Sequence, residues 1–403
     1  MPTTTHDSSR GHATRASSAM KGVFSAQMLR TAIRDRLLHA PEEITDDQIQ
    51  PASVDLRLGA RAYRLRSSFL PGARARIRDR LSELQMGPEL DLTAPGGVVL
   101  EPGRPYLIPL MEQLHLPKGV SGRTNPRSST GRLDIFTRVI TDHGSQFDVI
   151  EPGQDGQLWL EVYSSTFTAN VQAGLALTQL RLSTLRHPAL TSDEVEQLHR
   201  EDGLLFAPGP EPRAPVPQPS VGVRGLLLSV HLPAGEFVGW RAKHNTPLLD
   251  LSRTAAYDAL DFWDPIFAEP GGRLVLHPND FHLLISKEFV RIPPSVAAEM
   301  VAYDPSNGEL RTHYAGFFDP GFGYGQHLTG TRAVLEVRAH DVPFMLEDGQ
   351  PIARLAYERM AEPPDRLYGS DALQSHFQHQ EVNLSRQFRP TRGEVTFRLI
   401  SRE

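Results

Sequence analysis

The chain repeats itself at a constant offset of about 176 residues, and this duplication limits the fold more than any other feature of the sequence. SVDLRLG at 53–59 matches SVHLPAG at 229–235, and LEPGRPYLI at 100–108 matches LHPNDFHLL at 276–284. Chance does not hold one register over so long a stretch. The pattern therefore predicts a tandem duplication, in which two units share one fold.

A proline-rich segment separates the two copies. Residues 207–220 read APGPEPRAPVPQPS, with six prolines, which favours extended polyproline geometry and excludes a helix or a central strand. We therefore predict an N-terminal domain at 21–206, a linker at 207–221 and a C-terminal domain at 222–403. Residues 1–20 are rich in Ser, Thr and Arg, which predicts a disordered tail, with a transit peptide as the alternative.

Each copy consists mainly of short β-rich runs such as YLIPL, QLWLEVY and RAVLEVRA, separated by Pro, Gly, Asn and Asp. This pattern indicates an all-β fold, either a sandwich or a barrel. Helical periodicity is confined to residues 25–40, where Ser25 can cap the start, and to a short run within 191–200. We expect a few short helices beside the strands.

The composition excludes several classes of function. The formal net charge of -6 offers no overall attraction to nucleic acid, and the arginines concentrated at 57–80 are interpreted as a solvated basic face. The sequence contains no apolar run long enough to span a membrane, so a cytoplasmic protein is expected. The absence of cysteine excludes disulfides, thiolate nucleophiles and cysteine-ligated zinc sites.

The loop NPRSSTGR at 125–132 is the first candidate for chemistry. Ser128 and Ser129 can offer hydroxyls to a phosphate, and Arg127 or Arg132 can bind one in a bidentate manner. On these residues alone, a plain polar loop between two strands is the favoured interpretation, and a phosphate-binding loop is the alternative.

The second candidate is Glu161, in the strand that follows the turn EPGQDG. Alternation places Trp159 and Glu161 on one face of that strand, and an apolar neighbour raises the pKa of a carboxyl group. A glutamate of this kind can carry protons at neutral pH. The alternative is a salt-bridged glutamate with no catalytic part.

Four motifs together resemble one family. QPASVDLRLG (50–59), PRSSTGRLD (126–134), EPGQDGQLWLEVY (151–163) and LYGSDALQSHFQHQEVNLSR (367–386) occur in the order seen in dCTP deaminases of the trimeric dUTPase superfamily. The resemblance implies tandem dUTPase-like β-clip domains and a zinc-independent hydrolysis of dCTP to dUTP and ammonia, with Mg²⁺ accompanying the triphosphate. A dUTP diphosphatase, a bifunctional deaminase-diphosphatase and a non-catalytic nucleotide-binding regulator are the alternatives.

The resemblance also implies roles for single residues. Glu161 matches the glutamate that activates water, and Ser128 and Arg132 match residues that orient it. Asp55 matches an acidic position that could approach a metal, with the capping of a turn as the alternative; no metal site made by the protein alone is expected. The implied substrate-binding residues are Arg127, Ser128, Ser129, Thr141, Asp142, Tyr368, Gln378 and Gln380.

The second copy leaves two assemblies open. It has lost the serines, because Tyr303, Asp304 and Pro305 occupy the equivalent positions, but it keeps Glu336 on the matching strand. If like halves associate, Glu161 completes the site and the second half is structural; if unlike halves associate, Glu336 faces Ser128. We prefer the first, because rings of like halves close with simple symmetry, and expect a trimer or pseudo-hexamer of domains with sites at domain or subunit interfaces.

Overall fold

The structure is a computed structural model that describes residues 21–184, 189–222, 225–301, 310–312, 316–325, 328–339, 341–370 and 382–390. Strands dominate both copies of the repeat, which confirms the predicted all-β class. The strands of residues 21–206 are β1 (Leu38–His39), β2 (Val54–Arg57), β3 (Arg61–Arg64), β4 (Leu90–Asp91), β5 (Val98–Leu100), β6 (Pro105–His115), β7 (Ser121–Pro126), β8 (Ile135–Ile140), β9 (Val149–Ile150), β10 (Asp155–Ser164), β11 (Ala169–Val171), β12 (Ala176–Ser183) and β13 (Leu205–Phe206).

The later strands repeat much of this order. They are β14 (Val221–Gly222), β15 (Gly225–Ser229), β16 (Phe237–Ala242), β17 (Leu249–Asp250), β18 (Trp263–Phe267), β19 (Arg273–Leu276), β20 (Phe281–Val290), β21 (Val296–Val301), β22 (Leu310–Thr312), β23 (Phe317–Phe318), β24 (Tyr324–Gly325), β25 (Leu328–Thr329), β26 (Thr331–Ala339), β27 (Phe344–Glu347) and β28 (Pro351–Arg359).

The helices are short and start at recognisable caps. The Ser25 hydroxyl accepts from the backbone of Met28 at the start of the first helix, and Thr191 forms a capping box with Glu194 at the start of the last. Both were predicted, and two further helices were not. The four are α1 (Ala26–Arg34), α2 (Ile77–Leu84), α3 (Ser128–Gly131) and α4 (Ser192–Asp202), with 3-10 turns at Asp46–Gln48 and Ala259–Asp261. Within the described ranges, no helix is long and apolar enough to cross a membrane.

Each half (residues 21–184 and 189–390) contains two main sheets. In the first half these have the orders β4-β3-β6-β10-β8 and β2-β12-β7-β9; in the second half they are β18-β16-β20-β26-β22 and β14-β15-β28-β21-β23. The inward side chains of each pair of sheets form an apolar core, one around Leu56 and Leu160 and the other around Leu228 and Leu335. This burial supplies most of the stability of such a fold.

Strand register confirms the duplication residue by residue. Glu161 on β10 lies opposite Leu107 on β6, and Glu336 on β26 lies opposite Leu283 on β20. The two glutamates are therefore equivalent positions of the same strand in the two copies.

The structure corrects the predicted domain boundary. Helix α4 and strand β13 were assigned to the first domain, but both pack in the second half. Val195 and Leu204 are buried in the core of the second half, and Leu205 pairs with Val290. The proline-rich segment also packs on the second half, since the backbone N–H of Val216 donates to the carbonyl of Leu205 at 3.0 Å. The passage between halves thus lies before α4, and the proline-rich segment packs on the second half instead of linking two domains.

The halves are joined by strand pairing and by ion pairs. Strand β17 of the second half runs parallel to β11 of the first, with Leu249 opposite Ala169. Arg123 lies 3.1 Å from Glu299, a carboxylate of the second half, and Arg181 lies 2.7 Å from Glu358. The unlike halves therefore share one extensive interface within a single chain.

Candidate active site

The serine-containing loop forms a single helical turn, α3, directly after β7. The backbone N–H groups of Thr130 and Gly131 donate to the Arg127 carbonyl at 2.8 and 3.0 Å, which closes the turn. Ser129 and Thr130 are buried, whereas Ser128 at the start of the turn is half-buried. The loop therefore has a fixed backbone with a serine still open on one side.

Glu336 of the second half reaches this loop. A Cβ atom added at Gly131 would lie 2.6 Å from Oε2 of Glu336 and 2.7 Å from Oε1, so the carboxylate occupies the space over the glycine. Glu336 is only 9% exposed, and burial raises the pKa of its carboxyl group well above the usual range, opposed by Arg132 and reinforced by Asp134. Glu336 is therefore a buried carboxyl group with a raised pKa, held beside a polar loop.

Arg132 is the positive partner of this carboxylate. Its Nη1 donates to the Asn383 carbonyl at 2.7 Å, and burial lowers the pKa of its guanidinium to about 10, so it remains charged at neutral pH. Tyr368 also lies close enough to influence that pKa. Ser128, Arg132 and Tyr368, three of the predicted residues, are thus brought towards one region by the fold.

A second cationic group, formed by Arg127 and Arg386, lies beside the loop. Arg127 contacts Asp55 at 3.1 Å, and Arg386 of the C-terminal segment interacts with both residues. Burial raises the pKa of Asp55, and the two arginines oppose that rise. Asp55 therefore pairs with arginine instead of capping a turn, and among the described residues no group of three acidic or histidine side chains could hold a metal ion.

The C-terminal segment packs directly on the loop. The Ser385 hydroxyl donates to the Ser129 carbonyl at 2.6 Å, and the Trp240 indole N–H donates to the Val382 carbonyl at 3.2 Å. The tail therefore completes one wall of the candidate site. Two predicted tail residues, Gln378 and Gln380, lie outside the described residues.

Glu161 lies elsewhere, and this corrects the preferred assembly. Its carboxylate contacts Arg138 at 3.2 Å, with the Ser68 hydroxyl and the Phe69 backbone beside it, and its side chain is 1% exposed. Burial raises the pKa of this carboxyl group too. Within the chain the unlike halves associate, so Glu336, the alternative, takes the position against the serine loop that was predicted for Glu161.

Residues 65–89, which we name the cover segment, seal Glu161 from solvent. Leu65, Ile77 and Leu81 of this segment pack with Trp159 in a small apolar cluster. The segment is anchored by Asp142, whose Oδ1 accepts from the Ile77 backbone at 2.8 Å. The predicted substrate ligand Asp142 is therefore already engaged at the start of α2, and the neighbouring Thr141 is buried at 3% exposure.

The sequence did not single out several residues that the structure brings to the site. Arg386 is part of the quoted tail motif, and its charge was the signal that could have marked it. Asp134 follows the loop directly and ends the quoted PRSSTGRLD motif. Trp240 and Arg338 come from the second half, and no local pattern connects them to a loop so far away in the chain.

Family models match nearly the whole described chain. The model of the 2'-deoxycytidine 5'-triphosphate deaminase (DCD) N-terminal domain matches residues 20–186, and that of the C-terminal domain matches residues 191–388. The chain belongs to the dCTP deaminase family. This membership confirms the resemblance found in the four motifs, and the predicted hydrolase class agrees with it.

Individual members of the dCTP deaminase family support the assignment. The crystal structure of 2'-deoxycytidine 5'-triphosphate deaminase from Agrobacterium tumefaciens is 45% identical, with a TM-score of 0.79, covering 86% of this chain and 100% of that one. A dCTP deaminase from Haloarcula marismortui is 30% identical over 41% of this chain and 80% of its own length. A relative from Beutenbergia cavernae, named "dCTP deaminase, dUMP-forming", is 34% identical over 28% of this chain and 56% of its own length.

Proposed function

We propose that the chain deaminates dCTP to dUTP and ammonia at the interface between its halves, with Glu336 as the general base. The observation that carries the proposal is the contact of the Glu336 carboxylate with the loop at 128–132, because it joins the two parts of the family site in one chain. Glu161 has no such contact with the loop among the described bonds, since its carboxylate faces Arg138 and the cover segment.

The reaction needs a base and an acid in succession. Glu336 removes one proton from water as the water oxygen bonds to C4 of cytosine, and delivers that proton to N3. It then takes the remaining proton from the new C4 hydroxyl and delivers it to the amino group. The C4–N4 bond then breaks, ammonia departs and the water oxygen remains as O4 of uracil. A carboxyl group whose pKa is raised by burial suits both steps near neutral pH. Ser128 and Arg132 orient the water and the glutamate.

The triphosphate is assigned to the cationic side of the loop. Arg127 and Arg386 carry positive charge beside the loop, and Ser128 and Ser129 add hydroxyl donors. Mg²⁺ accompanies the nucleotide through phosphate oxygens and water, because Asp55 is a single carboxylate already paired with Arg127. Since the sequence has no cysteine for a cysteine-ligated zinc, we propose a zinc-independent reaction.

The first test is ammonia release from dCTP by two matched variants. Glu336→Gln should lower kcat by a factor on the order of 10² to 10⁴, the contribution expected of a general base. Glu161→Gln removes the equivalent carboxylate of the other copy and should leave kcat within about twofold, because its site is not the one in use. Equal losses in both variants would contradict the assignment of Glu336.

The product decides between the deaminase and its bifunctional alternative. A relative is named dUMP-forming, so dUMP is the second product to be tested for this chain. Chromatography of the nucleotides formed from dCTP should show dUTP with no pyrophosphate. Pyrophosphate with dUMP would favour the bifunctional enzyme, and pyrophosphate from dUTP without ammonia from dCTP would favour the diphosphatase. Binding of dCTP without either product would favour the regulator.

The proposal extends to how the chains associate and where the enzyme acts. One chain supplies the loop, Glu336 and the tail, so we infer that association of chains adds no residue to this site. Self-association as a trimer or pseudo-hexamer is still expected from the superfamily. We also propose that the enzyme acts on dCTP in the cytoplasm and binds neither nucleic acid nor membrane.

A further inference from the structure

The residue that follows the loop, Asp134, is held in an uncommon conformation. Its φ is 57°, in the left-handed region that favours glycine, and its side chain is fully buried. Aspartate occupies this region at a cost of about 1 kcal/mol or more relative to the right-handed region. The backbone N–H donates to the Gly131 carbonyl at 2.9 Å, so Asp134 is tied to the loop itself.

The carboxylate of Asp134 meets an arginine of the other half. Arg338 Nη2 forms an ion pair with Asp134 Oδ2, and the same nitrogen donates to the Thr166 hydroxyl at 3.2 Å. That hydroxyl in turn donates to Asp134 at 2.5 Å. The second terminal nitrogen, Nη1, donates to the Asn279 carbonyl of the second half at 2.6 Å. The guanidinium therefore holds both halves at once.

Arg338 and Glu336 share a strand and a face. They lie two positions apart on β26, and alternate residues of a strand point to the same side. The contacts that hold Arg338 against Asp134 therefore also set the distance between the Glu336 carboxylate and the loop. The equivalent position in the first half is Tyr163, whose ring contacts Phe136, so no arginine stands beside Glu161 at that point of β10.

We propose that Asp134 and Arg338 are positioning residues, a charged pair across the two halves that sets both the distance and the charge balance of Glu336 over the serine loop. This inference rests on the proposed function of Glu336. The distance between Glu336 and the loop can vary little, because the carboxylate fills the space that a Cβ atom at Gly131 would occupy. A displacement of the strand would separate base and loop, and such errors cost activity steeply.

The charges around Glu336 give the pair a second effect. Arg132 lowers the pKa of Glu336 and Asp134 raises it, while Arg338 balances the charge of Asp134. Tyr368 lies beside Arg132, and on the neighbouring strand β20 burial lowers the pKa of His282 to about 4, so that histidine is neutral over the working range. Removal of either member of the pair should therefore shift the Glu336 pKa, and in opposite directions.

The experiment is the pH dependence of kcat/KM for dCTP in a double-mutant cycle. Asp134→Asn leaves Arg338 unbalanced and should move the acid limb to lower pH by about one unit. Arg338→Met leaves Asp134 unbalanced and should move it to higher pH by about as much. The double variant should return the limb towards wild type, while kcat stays about tenfold low because positioning is lost.

One further variant separates charge from geometry, and an exposed ion pair provides the control. Arg338→Lys keeps the charge but not the planar fork, so its acid limb should stay near that of wild type while kcat falls. The exposed pair of Arg273 and Glu347, 3.1 Å apart, is the matched control: Arg273→Met and Glu347→Gln should leave the profile unchanged.

The carboxyl ¹³C resonance of Glu336, identified by its loss in Glu336→Gln, reports the same pKa without turnover. Opposed shifts of this resonance and of the kinetic limb support the proposal. Folded variants that lose activity with unshifted limbs and an unshifted resonance would overturn it. The proposed function fails separately, if the wild-type chain releases no ammonia from dCTP.

Discussion

At the scale of single residues, Gly131 shows how closely the base approaches the loop. The helical turn itself would accept alanine, because Gly131 does not have the positive φ recorded for many other glycines of the chain. The obstacle is the Glu336 carboxylate, which lies 2.6 Å from where the methyl group would be. The requirement for glycine here therefore comes from the other half of the molecule.

Gly131→Ala should consequently lower kcat for dCTP by at least about tenfold, since the glutamate must move away from the loop. Gly119→Ala is the matched control, because a Cβ there meets nothing within 4 Å. Ammonia release and thermal melting of both variants would check the expectation. Full activity of Gly131→Ala would show that the carboxylate need not approach the loop so closely.

Asp319 makes stability depend on pH. Burial raises its pKa to about 6, with Arg181 at 3.4 Å opposing the rise. A raised pKa means that the folded state holds the proton more tightly than the unfolded state, so stability from this group is present at low pH and is lost as the pH rises through about 6. The loss amounts to about 3 kcal/mol above that pH.

Asp319→Asn cannot take part in this titration. Urea unfolding at about pH 4.5 and about pH 7.5 should therefore show a smaller fall in the free energy of unfolding for the variant than for wild type, by about 2 kcal/mol. Parallel pH dependences of the two proteins would refute the assignment. A loss in the variant at both pH values would instead report the weakened contact with Arg181.

At the level of residues, the sequence marked the loop as a candidate site but did not identify which glutamate lies beside it. Ser128 and Arg132 stand in a local motif, where the Arg132 backbone N–H donates to the Ser128 carbonyl at 3.2 Å, and Arg132 interacts with Glu336. Glu161 and Glu336 stand in the same strand pattern, so local sequence could not say which of them meets the loop. That choice depends on how two sheets far apart in the chain pack, which no short pattern encodes.

At the scale of elements, equivalent connections follow different routes in the two halves. Tyr63 on β3 and Trp240 on β16 occupy matching register positions, opposite Leu107 and Leu283. After β3, the cover segment folds over Glu161. After β16, the chain crosses to the first half through β17 and meets the tail, where Tyr257 contacts Phe388. The first copy thus covers its own Glu161 with the cover segment, whereas Glu336 of the second copy lies at the interface between the halves.

Asp142→Ala tests the structural role of that residue in the cover segment. Loss of the bond to the Ile77 backbone should destabilise the chain by about 1 kcal/mol, the usual cost of a lost helix cap, and leave KM for dCTP unchanged. Thr191→Ala removes the cap of α4 and should show a similar cost. A raised KM in Asp142→Ala alone would restore Asp142 as a substrate ligand.

The elements that the sequence indicated were those with local signals. Helices α1 and α4 have a capping residue followed by apolar periodicity, and both were predicted. Helix α2 was missed because its arginines suggested a solvated basic face; yet Ile77 is fully buried and Leu81 nearly so. A partner as apolar as Trp159 is needed to turn two isolated apolar residues into a packed face, and it comes from a different strand.

At the scale of the whole molecule, the duplication was predictable but the boundary and the pairing were not. The offset of about 176 residues is also present in the strand register, because the burial of one strand face fixes the register in each core. The proline-rich segment suggested a linker by composition, whereas its docking depends on the core around Val195 and Leu205. Association of unlike halves follows from contacts such as Arg123 with Glu299, which composition cannot reveal.

Mixing two inactive chains tests whether the site belongs to one chain. Ser128→Ala lacks the loop serine and Glu336→Gln lacks the base. If both come from the same chain, an equimolar mixture should regain no activity. If the loop and the base came from different chains, a mixture that exchanges subunits would form some intact sites and recover up to about a quarter of the wild-type rate. Ammonia release from dCTP after incubation would distinguish these results.

The strand pairing of β17 with β11 joins the half that carries the loop to the half that carries the base, within one chain. Tethering of this kind acts as a high local concentration, on the order of millimolar for short flexible connections, against the far lower concentrations of free protein. Formation of the pocket is then a unimolecular event. Turnover per chain should stay constant on dilution, even to concentrations at which separate subunits would have come apart.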